Sequence, residues 1–186
     1  MSLTSTGMAY VDAEGTVQTK TVNVEGFSDN TLRNVIIAHA VWEVLQIRRL
    51  DAVCVEGYAF GMPVKGASSR MTQIAEMTGL TKHLVLSDDI PIIVVPPSTL
   101  KKFITGKGNA SKGEVTKFLK QEWDKAFTDF DKADAFSAMM YGRAVLGSDY
   151  PKGPKDSLAK SRADTLRSSV TIQPEEIVKS ISIRFE

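Results

Sequence analysis

Ala52-Val53-Cys54-Val55-Glu56 is a run of four apolar residues closed by a carboxylate. A short, continuously apolar run rich in β-branched residues suits a strand buried on both faces, as in a parallel sheet. Glu56 then stands at the carboxyl end of the strand, where open α/β sheets present their ligands. A second such run, Ile90 to Val95, stops at Pro96-Pro97. Between the two lie a Gly-rich loop, Gly57 to Gly66, and a helix from Ser69 to about Leu86, interrupted near Gly79. Upstream, Met8 to Val11 and Thr16 to Val24 read as strands around Asp12-Ala13-Glu14-Gly15, the second alternating through Val17, Thr19 and Thr21. Asp29-Asn30 caps a long helix whose apolar side holds Leu32, Val35, Ile36, His39, Ala40, Val41 and Leu45, with Arg48-Arg49 at its C-terminal end. Downstream, Ser98-Thr99 caps a short helix through Ile104, and Thr105 to Ala110 is a turn. Ser111 opens a helix to about Lys125, with Glu114 completing a capping box. A last helix runs from Asp131 to about Leu146. Strands alternating with helices predict an α/β domain with a mixed sheet.

After Gly147 the composition turns to Ser, Lys, Pro, Gly and Asp, which predicts a mobile arm over Ser148 to Ser169. Beyond it Pro174-Glu175-Glu176 can start a helical turn, and Ser180 to Phe185 alternates like a strand. The division expected is a domain over 1–147 and an extension or arm over 148–186.

At 186 residues the chain is long enough to bury a core. A net charge of +1 leaves any affinity for nucleic acid to a local basic patch. The single cysteine, Cys54, excludes a disulfide framework, and its place in a buried strand reads as an inert packed thiol. The chain has no signal-peptide pattern and no apolar stretch of membrane-spanning length, so it reads as cytoplasmic.

Asp131 and Asp134 are three apart and share a helix face. Three carboxylates gathered in one place repel unless a cation sits among them. Oxygen ligands with no Cys or His partner suit Mg²⁺ or Mn²⁺ better than zinc. Glu56, Asp131 and Asp134 are therefore the candidate metal ligands of a phosphoryl-transfer site. A solvated strand-end Glu and first-turn Asp residues serving the helix dipole are the plain alternatives. Lys101, Lys107 and Lys112 cluster about a turn with glycines at 106 and 108, which fits contact with phosphate. Lys117, Lys120 and Lys125 serve equally as a solvated helix face. Tyr58 and Phe60 follow Glu56 and either stack on unpaired bases or anchor their loop by burial. Arg70 meets phosphate or caps its helix. Glu76 joins the site's hydrogen bonds or a helix salt bridge. His39, Trp42 and Trp123 read as core, and His83 as a surface residue.

Four segments together resemble the RuvC family of Holliday junction resolvases, in its phage-type branch, within the RNase H-like superfamily. Ser2-Leu3-Thr4-Ser5-Thr6-Gly7 looks like the turn after the family's first strand. Val53-Cys54-Val55-Glu56 looks like the strand bearing its second acid. Lys101 through Gly106-Lys107-Gly108-Asn109-Ala110-Ser111-Lys112 resembles its Lys-rich glycine segment, and Asp131-Lys132-Ala133-Asp134-Ala135 its closing helix start. The match spans about residues 1 to 146. The resemblance implies a mixed five-stranded sheet flanked by helices, and a homodimer binding four-way DNA junctions. It implies Glu56, Asp131 and Asp134 as ligands of two Mg²⁺ or Mn²⁺ ions, with Lys101 and Lys112 serving DNA binding or catalysis. The family's loop aromatic falls at Ala59, where Tyr58 or Phe60 substitutes. The family's first acid would stand just before Met1, so its first, central strand reads as truncated. Its loss would leave exposed strand edges and a gap in the core, filled either by residues upstream or by Ser180 to Phe185, which would bring Glu186 near the missing acid. The activity implied is two-metal hydrolysis of branched DNA, impaired without the first Asp. A non-catalytic branched-DNA-binding module and an RNase H-like nuclease on RNA–DNA hybrids are the alternatives.

Overall fold

The fold is the expected mixed α/β one, with five strands among the described residues, arranged in two sheets. In the computed structural model, which describes residues 5–47, 50–57, 67–147 and 159–175, β1 (Ser5–Val11) and β2 (Val17–Asn23) make an antiparallel hairpin in the register Ser5↔Asn23 through Val11↔Val17. Ser5 to Gly7, read from the sequence as a turn, already belong to β1. The loop is held by Asp12, whose Oδ1 accepts from the Thr16 amide at 2.7 Å, and by Gly15 at φ +80°. The second sheet runs β3 (Val53–Glu56), β4 (Ile92–Val95), β5 (Val170–Ile172). β3 and β4 are parallel, as their unbroken apolar runs predict, and β5 is antiparallel to β4.

Helix α1 (Asn30–Ile47) starts where Asp29 accepts from the Leu32 amide at 2.7 Å. Its buried face is Ile37, Ala38, Ala40, Val41, Val44 and Leu45. Leu32, Val35 and Trp42 are 46%, 50% and 44% exposed, and His39 is exposed beside Trp42. The sequence reading placed Leu32, Val35, His39 and Trp42 inside. The helix carries apolar residues all round, so periodicity could not choose between its two sides. α2 (Ala67–Ser87) connects β3 to β4 without a break at Gly79. A Cβ at that position would meet nothing within 4 Å, so no close contact requires a glycine there. α3 (Pro97–Thr105) begins at Pro96 with no side-chain cap, so Ser98 and Thr99 lie inside it. Proline's fixed φ already suits the first helical turn.

α4 (Lys112–Trp123) carries the predicted Ser111–Glu114 capping box. α5 (Phe130–Val145) packs against β1 and β3 and so underlies both sheets. Two glycines set that approach. A Cβ on Gly142 would stand 3.0 Å from Cys54 Cβ, and one on Gly7 would stand 1.9 Å from the Asp131 carbonyl oxygen. Backbone cannot turn aside as a side-chain tip can. Gly7→Ala should therefore lower stability by about 1–3 kcal/mol. Gly113→Ala, in an open helical position, should instead raise it by about 0.4–1 kcal/mol. Urea midpoints of the two variants check the contrast.

α6 (Ala159–Leu166) and β5 are docked, which corrects the expectation of a mobile arm for residues 159–169. Arg162 is buried. It donates from Nε to the Phe103 carbonyl at 3.0 Å and lies 4.7 Å from the Trp123 ring centroid. Tyr141 Oη donates to the Thr165 carbonyl at 2.7 Å. These contacts extend the main core of Phe103, Ile104, Leu119, Phe136, Met140 and Tyr141. Each such side chain contributes about 1.5–3 kcal/mol by leaving water.

Among the described residues β1 pairs only with β2, and β3 only with β4. A cavity of about 580 Å³ is lined by every residue of both strands, by Val41, Val44 and Leu45 of α1, and by Ala138 and Gly142 of α5. The cavity therefore lies between the two sheets. Ser180 to Phe185 and Glu186, suggested from the sequence to fill a gap in the core, lie outside the described residues.

Candidate active site

The first turn of α5 is fixed from three directions. Asp129 is its N-cap, accepting from the Asp131 amide at 2.8 Å. Thr21 of β2 donates its hydroxyl to Asp129 Oδ2 at 2.6 Å. That hydroxyl, with the Asp131 amide behind it, holds the Asp129 carboxyl below its usual range. Ser5 Oγ hydrogen-bonds to Asp131 Oδ2. Thr21 is the register partner of Gly7, the residue against which the Asp131 carbonyl packs. The hairpin thus sets where Asp131 and Asp134 stand.

Glu56 comes from the other sheet, at the end of β3. Burial pushes its carboxyl above the ordinary range, and Asp134 adds to the shift, while Lys112 and Lys101 oppose it. Glu56, Asp131, Asp134, Lys101 and Lys112 all line the cavity between the sheets. Lys112 Nζ is 3.4 Å from Asp134 Oδ2. Its ammonium is also 5.7 Å from the centroid of the Phe130 ring, within the reach of a cation–π contact.

The other expected residues divide. Lys107 is exposed in the turn after α3 and does not line the cavity. There Gly106 takes φ +80° to end α3, and its amide bonds to the Lys102 carbonyl at 2.8 Å. Gly108 packs on Ser98. Tyr58, Phe60 and the side chain of Arg70 lie outside the described residues. Glu76 and His83 are exposed, and Trp123 is buried as expected. Burial in an apolar site pushes the Cys54 thiol up to about 12, as fits an inert group. Ser5, Thr21, Asp129 and Phe130 escaped the sequence reading. The usable signal was Asp129, an N-cap residue type two positions before the residue taken as the helix start.

The candidate donors suit a hard divalent cation: Glu56, Asp131 and Asp134 offer oxygen alone, on a cavity that Asp51 and Cys54 also line. Among the described residues no three or more His, Cys, Asp or Glu side chains are gathered closely enough to hold a metal ion. Ser5 engages Asp131 and Lys112 engages Asp134. These contacts take up carboxylate oxygens that an ion would claim.

The raised Glu56 fixes a pH dependence. Its folded-state pKa lies above the unfolded value, so the charged form is the one that folding disfavours. The resulting cost is absent below the ordinary glutamate range and grows as pH rises through the folded pKa. Glu56→Gln is therefore expected to melt higher than the parent at pH 7, with the difference closing below about pH 4. Thermal melts across that range test it.

No protein-family profile matches the chain. It is 28% identical over 149 residues to the crossover junction endodeoxyribonuclease RuvC of Bacteroides fragilis, covering 75% of this chain and 77% of that one. With the protein of the same name from Porphyromonas gingivalis it shares 24% over 160 residues, 84% of this chain and 80% of the relative. The fold is similar to that of Thermus thermophilus RuvC, at a TM-score of 0.58 and 21% identity over 80% of this chain and 94% of that one. Against the T. thermophilus protein in complex with a Holliday junction substrate the TM-score is 0.61 at 20% identity, over 81% and 94%. No helix among the described residues is long and apolar enough to cross a membrane. In sequence over about three quarters of its length, and in its mixed α/β fold, this chain is similar to RuvC proteins.

Proposed function

We propose that this chain is a structure-selective, metal-dependent DNA endonuclease that acts on four-way junctions and related branched DNA. The observation carrying the proposal is that Glu56 at the end of β3 and Asp131 and Asp134 in the first turns of α5 line one cavity with Lys101 and Lys112. Relatives named as crossover junction endodeoxyribonucleases support it. A pair of Mg²⁺ or Mn²⁺ ions, when bound, supplies a water of lowered pKa and charge for the leaving oxygen. Glu56, Asp131 and Asp134 are the residues that would hold them. Ser5 and the Asp129 cap keep Asp131 oriented. Lys112 offsets negative charge on the scissile phosphate, and Lys101 and Lys107 contact the flanking backbone. Arg70, Tyr58 and Phe60 stand in the same role toward DNA, the aromatics by stacking on unpaired bases. The products are nicks with 5′-phosphate and 3′-hydroxyl ends. The active form is a homodimer, one subunit per nicked strand, working in the cytoplasm (that of the bacterial host if the chain is phage-encoded).

One observation favours a second reading, a branched-DNA-binding module without cleavage: the described carboxylates do not close round a single point. The deciding assay incubates the chain with a synthetic four-way junction, a linear duplex and an RNA–DNA hybrid, in Mg²⁺ and in Mn²⁺. Nicking of the junction alone supports the proposal. Binding without nicking in either metal supports the module, and cleavage confined to the hybrid would make it an RNase H-like enzyme.

A further inference from the structure

Phe130 is 46% exposed, although it opens the helix that carries two of the carboxylates. Its ring packs with the ammonium of Lys112, 5.7 Å from centroid to Nζ. The same ammonium is 3.4 Å from Asp134 Oδ2. Lys112 sits at the first position of α4, directly after its cap, and half of its side chain is in solvent. A four-carbon stem so placed has many rotamers and loses entropy when held in one. A ring face on one side and a carboxylate on the other select among them. The two holders share α5, four residues apart and so on one helix face. The lysine is thereby registered to the same helix turn that sets the acids.

We infer that Phe130 is a positioning residue, whose ring seats the Lys112 ammonium over the carboxylate site. This rests on the reading of Lys112 as the lysine that faces the scissile phosphate. Lys112 gives up Asp134 when that carboxylate turns to another partner. The ring then remains as the contact that keeps the ammonium at the site. The contact needs an aromatic face and not merely apolar bulk, because the attraction comes from the ring quadrupole.

The test uses the full chain and two readouts. Lysines are converted to ¹³C-dimethyl-lysine, and the Lys112 signal is assigned by its loss in Lys112→Arg. A ring over the ammonium shifts those methyl signals upfield. The shift should persist in Phe130→Tyr and vanish in Phe130→Leu. On a four-way junction in Mg²⁺, Phe130→Leu should lower kcat about two- to fivefold with KM unchanged. Phe130→Tyr should retain the parent rate. In a Lys112→Ala background Phe130→Leu should change nothing further. A rate loss that persists in that background, or a Tyr variant as poor as the Leu variant, overturns the inference. If the chain nicks no junction, the nuclease reading falls by itself, and the methyl shift alone then decides whether Phe130 seats the lysine.

Discussion

Asp134→Asn should reduce junction nicking by on the order of 10²-fold or more while leaving the protein folded and able to bind DNA. Asn preserves the shape of the side chain and deletes its charge, so the packing of α5 is untouched. Asp134 is half-buried on the cavity, and it pairs with Lys112 in an ion pair that is itself about half exposed. An exposed pair of that kind contributes ~0–1 kcal/mol, so melting should barely move. Loss of one negative charge beside Lys101 and Lys112 should tighten junction binding, not weaken it. The three measurements separate the possible roles. Nicking falls alone if Asp134 is a metal ligand. Stability falls if it is structural. All three stay level if the carboxylate is a bystander, and that result would remove Asp134 from the site. Asp131→Asn should behave in the same direction, with an added cost because Ser5 loses an ionised acceptor.

How much of this was legible in the sequence depends on the reach of the interaction involved. β3 and β4 were legible because a strand buried on both faces must be apolar at every position, and Val53-Cys54-Val55 and Ile92 to Val95 satisfy that. The start of α4 was legible because Ser111 and Glu114 satisfy each other's backbone within three residues. The candidate acids were legible as types at element ends; all three line one cavity, without three of them meeting closely enough to hold a metal ion. Contacts between distant segments were not legible. Thr21 reaching Asp129 across 108 residues leaves no local pattern, and neither does Arg162 lying on Trp123. The polar composition near residue 159 hid a helix whose anchorage comes from one buried arginine and one threonine carbonyl. On α1 the local pattern misled, because Leu32, Val35 and Trp42 are as apolar as the residues that the fold buries.

A strand placed between β1 and β3 should produce the largest gain of function. β3 has four residues, so the slot beside it is ~13 Å long at a strand's rise per residue. The Val53 amide bonds to the Pro91 carbonyl at 2.9 Å and the Gly57 amide to the Val95 carbonyl at 2.8 Å, both on the β4 side. Strand alternation then turns the Cys54 amide toward the cavity. Val41, Val44 and Leu45 cover one face of the slot and Ala138 and Gly142 the other. An added strand therefore needs apolar side chains on both faces, and the resemblance to RuvC asks for an Asp level with Glu56. A chain extended upstream of Met1 by such a segment should show slowed hydrogen exchange at Cys54 and along β1, and a higher melting temperature. If Glu56, Asp131 and Asp134 hold the ions as proposed, its Mg²⁺-dependent nicking of a four-way junction should rise at least tenfold on addition of that Asp. The same extension with Asn in place of that Asp should keep the exchange protection and lose the gain in nicking, because the strand pairs through its backbone and the chemistry depends on the charge. Unchanged exchange at Cys54 in the extended chain would show that the cavity does not accept a strand. Protection without any gain in nicking, with Asp present, would show that the acids of this chain are not a metal site.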